Sequence, residues 1–170
     1  MKKIFINFFF LIFFFNFNTS YSSEKIAFID LDFVLRNSNI GKSILEDIEK
    51  LNNKNINELK KKESELKKNE EEILPKKNIL SEEEYKKEVD LLKDKIKKYK
   101  LLKDEMVSNF QKKKQTSLKN FFNQINPIIQ NYMDENSINI LLDRKNVFIG
   151  KTDSDITNSI IEKINNELKK

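Results

Sequence analysis

Aspartate and glutamate are the side chains of this sequence that could serve as general acids, general bases or ligands for a hard cation. There are 27 of them beside 32 lysines and arginines. They run through Lys- and Glu-rich stretches, the pattern of a solvated helix face rather than of a site. The chain has no Cys and no His. Thiol nucleophiles, disulfides, a histidine base and the usual nitrogen and sulfur ligands of zinc are therefore excluded. With only two glycines, no glycine-rich loop can cradle a nucleotide phosphate. The expectation is a non-enzyme with no cofactor and no metal. Nucleic-acid binding is disfavoured as well, because the net charge is only +5 and the two arginines, Arg36 and Arg144, form no cluster that could read bases.

The elements that carry these charges begin after an N-terminal address. Lys2 and Lys3 precede an apolar run from Ile4 to Phe15, broken by Asn7, and then a polar stretch to Ser23. This is the plan of a secretory signal peptide, with cleavage expected after Ser22 and residues 1–22 lost. The apolar core is too short for an ordinary membrane span; retention as an anchor is the alternative. Loss of Lys2 and Lys3 lowers the net charge from +5 to +3. Eight of the 14 Phe residues leave with it.

The rest divides into a body, 23–41 with 133–170, and an arm, 42–132. Ile26, Phe28 and Ile29 form a β-prone run that passes into a helical turn at Phe33 to Arg36. Along the second half of the arm, Tyr85, Val89, Leu92, Ile96, Tyr99, Met106 and Phe110 follow steps of four and three, with Lys103 in the one gap. That 3.5-residue period predicts a coiled-coil seam. The first half is weaker, its apolar Leu45, Ile48, Leu59, Leu66 and Ile73 being interrupted by polar residues. Pro75 ends one helix near Leu74. Ser81 and Glu84 form a capping box that starts the next at Glu82. A turn near 75–81 then folds the arm into an antiparallel hairpin. Pro127 is expected to kink its base. Beyond it, Ile138, Ile140 and Leu142 alternate, Arg144-Lys145-Asn146 make a turn, and Val147 to Ile149 return, which predicts a β-hairpin. Asp153 or Asp155 would cap a last helix with the stripe Ile156, Ile160, Ile161, Ile164 and Leu168.

The fold class expected is α+β and mostly helical: three short strands per chain and a long helical arm. Three strands bury too little for a monomer, so several copies are expected to pool them into one closed body that leaves no open sheet edge. Ile26, Phe28, Ile138, Ile140, Leu142, Val147 and Ile149 would form that oligomeric body. Val89, Leu92, Ile96, Tyr99, Met106 and Phe110 would be the arm seam. Ile73, Leu74, Ile79 and Leu80 serve either packing of the tip or contact with another protein. Lys112, Lys113 and Lys114 form either a solvated face or an attraction for acidic partners.

Five segments in this order carry a resemblance: Lys25-Ile26-Ala27-Phe28-Ile29-Asp30, Ile40-Gly41-Lys42, Leu80-Ser81-Glu82-Glu83-Glu84, Ile138 to Asp143 with Val147 to Ile149, and Asp155-Ile156-Thr157. Together they make the chain similar to the Skp/OmpH family of periplasmic chaperones over essentially all of its length after the leader. The resemblance implies a homotrimer with a β-barrel body and three helical tentacles around a cavity. It implies ATP-independent holding of unfolded outer-membrane proteins, with the outer-membrane assembly machinery as a further partner and no stable membrane insertion. One feature departs from the family's basic tentacles. Lys93 to Lys119 holds ten lysines against three acids, but the tip is acidic, with Glu70, Glu71, Glu72, Glu82, Glu83 and Glu84. A structural coiled-coil envelope protein without clients is the competing expectation.

Overall fold

The computed structural model describes residues 24–168; the expected signal segment lies outside the described residues. Strand β1 (Ile26–Ile29) leads into α1 (Leu31–Asn37). The Asp30 side chain starts that helix by accepting from the Phe33 N–H at 2.8 Å. Ser38 both ends α1 and begins α2 (Asn39–Ile73). Its N–H donates to the Val34 carbonyl, and its hydroxyl accepts from the Gly41 N–H at 3.2 Å. The bend is tight enough to need glycine: a Cβ on Gly41 would lie 2.0 Å from the Leu35 carbonyl oxygen.

Helix α2 stops at Ile73, and Pro75 sits in a short 3₁₀ turn, Leu74–Asn78. Helix α3 (Glu82–Glu135) starts at the expected capping box: the Ser81 hydroxyl accepts from the Glu84 N–H, and the Glu84 carboxylate accepts from the Ser81 N–H. The helices form an antiparallel hairpin roughly 50 Å long, from the 1.5 Å rise per residue over α2. Lys76 crosses the tip to Glu88 at 3.5 Å. Pro127 lies inside α3, which runs unbroken to Glu135. The proline is exposed, so the Asn123 carbonyl left without its usual donor faces water.

The end of α3 turns the chain back to the body. Ser137 takes a left-handed φ of 53°. Its N–H donates to the Asp134 carbonyl, and the Ile138 N–H to the Met133 carbonyl, a Schellman closure with serine where glycine is commoner. Strand β2 (Ile140–Asp143) then pairs parallel to β1, Ile26 opposite Ile140 and Ile29 opposite Asp143. A parallel pair needs a long crossover, and here the crossover is the arm. On the other side of β1, Phe28 bridges Asp155, and the Ile156 N–H donates to the Phe28 carbonyl at 3.0 Å. Helix α4 (Thr157–Glu167) follows. Asp155 contributes to its start by accepting from the Thr157 N–H and hydroxyl.

Two expectations are corrected. The segment 138–149 is not a hairpin. After β2, Arg144–Asn146 forms a 3₁₀ turn, and Val147 to Ile149 makes no strand, so the described chain has two strands rather than three. The segment has strand-forming side chains but no strand beside it to pair with. Second, the single chain does have a core. Ala27 and Ile29 of β1, Val34 of α1, Phe121, Ile125, Ile128 and Ile129 at the base of α3, and Ile156, Ile160 and Ile164 are buried together with Ile138. Each isoleucine fully buried there contributes about 1.5–3 kcal/mol. Helices, not pooled strands, close this side of the sheet.

Candidate functional site

Among the described residues no group of acidic side chains is placed to hold a metal ion. The body's polar hollow, between Asp30, Arg144, Asp155 and Thr157, is closed by its own bonds. Arg144 donates to Asp155 at 2.6 Å, Asp155 accepts from Thr157, and the Thr157 hydroxyl accepts from the Asp30 N–H at 2.9 Å. Arg144 also lies 5.6 Å over the Phe28 ring. These contacts lock the C-terminal segment onto β1 and leave no free acid–base pair.

A second tie joins the segment after β2 to α1. Lys145 reaches Asp32 at 2.7 Å. Hydrogen bonding to Lys145, then its charge, holds the Asp32 carboxyl below the usual carboxylate range, and the same pairing raises the Lys145 ammonium above the usual lysine range. The lowered carboxyl stabilises the fold above the ordinary carboxylate range, and the contribution is lost as pH falls through the folded value. The raised ammonium contributes below the ordinary lysine range, and that is lost in strong base. Asp32→Asn is expected to lose less stability than the parent between neutral pH and about pH 3. Urea midpoints at the two pH values check this. Both groups are exposed, so the difference is small and salt-sensitive.

What the body offers is apolar surface. Ile26 and Phe28 of β1 and Ile140 and Leu142 of β2 share one face of the sheet, opposite the core-facing Ala27 and Ile29. Phe28 and Ile138 are buried and Val147 is half-buried, whereas Ile26, Ile140 and Leu142 are exposed in the single chain. Ile140 keeps 40% of its surface, and Phe148 and Ile149 keep 103% and 86%. Among the described residues, strand order β1–β2 leaves the outer edge of β2 unpaired. Apolar surface therefore sits beside a row of free backbone groups, a template for another strand.

The arm seam places Val89, Leu92, Tyr99, Met106 and Phe110 half-buried between the helices, while Ile96 lies more exposed at its margin. Leu102, not Lys103, fills the gap after Tyr99. A step of three from Tyr99 keeps an apolar side chain inward and the lysine in water. In α2 the seam runs through Leu45, Ile48, Asn52, Asn55, Leu59, Leu66, Asn69 and Ile73. Asn69 accepts from Lys95 across the hairpin at 3.1 Å. Polar members leave the middle of the arm under-filled, with open grooves on both sides of Leu66 and Tyr99. At the tip, Ile73 is buried and Leu80 half-buried, but Leu74 is exposed and Ile79 keeps 80% of its surface. Lys112, Lys113 and Lys114 are exposed. Periodicity missed the free β2 edge, because strand order depends on which partner lies on each side.

The arrangement is that of an interaction scaffold: a small sheet-and-helix body, open on one apolar face, carrying a long helical arm. Residues 25–164 match the family described as outer membrane protein (OmpH-like), and the chain belongs to that family. No curated protein sequence matches it. Among solved structures it is similar to an OmpH-like protein of Caulobacter crescentus CB15 assigned as an outer membrane chaperone. The two share 16% identity over 91% of this chain and 92% of the other, with a TM-score of 0.80. At that identity the likeness establishes a common fold. The α+β, mostly helical class and the helical-arm architecture are those expected from the sequence. Among the described residues no helix is long and apolar enough to cross a membrane.

Proposed function

We propose that this protein is an ATP-independent holdase chaperone of the periplasm, exported by its N-terminal segment, which works as a homotrimer and shelters unfolded outer-membrane proteins between its arms. Family membership supports the chaperone role. The observation that carries the assembly is the sheet face of the body, where Ile26, Ile140 and Leu142 lie exposed next to an edge left free by the described residues, and Phe148 and Ile149 are exposed in the segment that follows. A surface of this kind is covered in a stable protein. The Val147 to Ile149 segment is a strand former without a strand partner among the described residues. In the trimer it takes the place of the third strand, pairing with a neighbouring copy to close a barrel. Three arms then leave one body side by side.

An unfolded barrel strand exposes alternating apolar side chains and free backbone groups and so aggregates. An enclosure of many weak contacts prevents that without nucleotide, and arms with an under-filled seam can re-pack around different clients. Light-scattering mass determination on the chain without residues 1–22, alone and with a urea-unfolded outer-membrane barrel protein, tests this. A trimer that takes the client into one soluble complex without nucleotide is expected. A chain of lower mass that leaves the client to precipitate would return the protein to a structural envelope role.

A further inference from the structure

We infer that Arg144 is a positioning residue for assembly: it ties down the segment 144–155, so that Phe148 and Ile149 stand as a preformed docking element for a second copy of this chain. The inference rests on the trimer reading and adds what holds the docking segment ready. Phe148 and Ile149 are the two most exposed large apolar side chains among the described residues. The N–H groups of Phe148, Ile149 and Gly150 donate to no acceptor among those residues. The apolar tip of the arm differs, because the Ile79 and Leu80 N–H groups both donate to the Lys76 carbonyl, at 3.0 and 2.9 Å. Apolar side chains beside unmet backbone donors fit the edge of a strand rather than a flat apolar patch. In a second copy the outer edge of β2 supplies the acceptors, and Ile26, Ile140 and Leu142 supply apolar surface next to it.

Ordering a loose segment on docking costs affinity, and a segment held in place beforehand avoids that cost. Here both flanks of Val147 to Ile149 are fixed within the single chain. The Arg144 guanidinium donates to Asp155 at 2.6 Å, joining residues 11 apart. The same guanidinium lies over the Phe28 ring. Gly150 comes against that ring from the other flank, so closely that a Cβ there would lie 2.6 Å from it. Lys145, held by Asp32, adds a tie next to Arg144. One ring on the outward face of β1 therefore seats both ends of the short apolar run. Asp155 keeps its bonds from the Thr157 N–H and hydroxyl when Arg144 is replaced, so α4 still starts. An exposed ion pair adds little to the fold, whereas a loosened segment handicaps every copy at every interface.

The test compares Arg144→Gln and Arg144→Lys with the parent, each without residues 1–22. Light scattering over a dilution series gives the concentration at which the trimer half-dissociates, and urea midpoints are measured on the dissociated chains. Arg144→Gln is expected to raise that concentration by about tenfold or more, as when the competent conformation falls to about a tenth of the copies, with a urea midpoint close to the parent's. Arg144→Lys keeps a cation for Asp155 and is expected to recover part of the loss. In the parent, amide hydrogen exchange over residues 148–150 is expected to slow about tenfold or more on assembly. Exchange there that is as fast in the trimer as in the dissociated chain would overturn the docking element. Parent-like dissociation of Arg144→Gln would overturn the tie. Both results would leave the trimer standing. Unfolding of dissociated Arg144→Gln would make Arg144 a residue of the fold and overturn its role in assembly. A parent chain that is monomeric at every concentration would overturn the inference and the trimer together.

Discussion

Gly41→Ala is expected to destabilise the chain by about 2–4 kcal/mol, a loss of the size found when a buried site is overpacked against backbone. The added Cβ would sit 2.0 Å from the Leu35 carbonyl oxygen, 2.8 Å from the Leu35 carbonyl carbon and 2.8 Å from the Ser38 hydroxyl. Two of those three atoms are backbone at the end of α1 and cannot rotate away. The third is the oxygen that caps α2. Relief must come from separating α1 from α2. Separation would pull Val34 and Ser38, both fully buried, out of the packing that joins the arm to the body. The helix propensity gained by alanine offsets only about 1 kcal/mol of this. Urea denaturation followed by circular dichroism checks the figure. Gly150→Ala is the comparison: the atoms nearest its Cβ belong to the Phe28 ring, the first at 2.6 Å, and a ring edge can shift where a carbonyl cannot. A Gly41→Ala chain as stable as its parent would mean that the tight joint between α1 and α2 does not hold in solution.

The local architecture was legible because its signals are local. Pro75 and the Ser81–Glu84 pair fix where the arm turns, since one removes a helix donor and the other supplies the next helix with its first bonds. The isoleucines of the last helix at 156, 160 and 164 need only a 3.6-residue period to be read as one buried stripe. The seam was legible to within one step: Leu102 and Lys103 fit the period almost equally, and burial decides for leucine. What the sequence could not disclose was which partner each segment meets. Val147 to Ile149 has the residues of a strand, but a strand is defined by a neighbour, and the described residues supply none. Likewise Ile29 and Ile140 read as similar β-prone isoleucines, yet Ile29 faces α3 and α4 while Ile140 faces out. That difference follows from the arm returning β2 beside β1 in one register, a tertiary event with no short-range signature.

The same difference gives the prediction with the largest effect on assembly. Ile140→Asp is expected to dissociate the proposed trimer while leaving the single chain folded. In one chain Ile140 retains 40% of its surface, so the new carboxylate remains hydrated and changes the stability of that chain by only about 0.5 kcal/mol, as for an ordinary surface substitution. In a closed barrel the same carboxylate would be buried without a partner, at a cost of about 3–5 kcal/mol per copy, repeated in every subunit. Phe148→Ser acts on the same assembly differently, by removing an apolar side chain that nothing covers in the single chain. Ile29→Asp is the opposite case. Ile29 is 2% exposed within its own chain, and a charge there should unfold the body whatever the oligomeric state. Mass by light scattering, with helical content measured on the same samples, separates these outcomes. The expected result is a helical monomer for Ile140→Asp, a weakened trimer for Phe148→Ser and loss of structure for Ile29→Asp. Ile140→Asp keeping the parent's mass would remove the outer face of β2 from the interface, and with it the proposed barrel. Its unfolding at full dilution would instead mean that this face is already covered by its own chain.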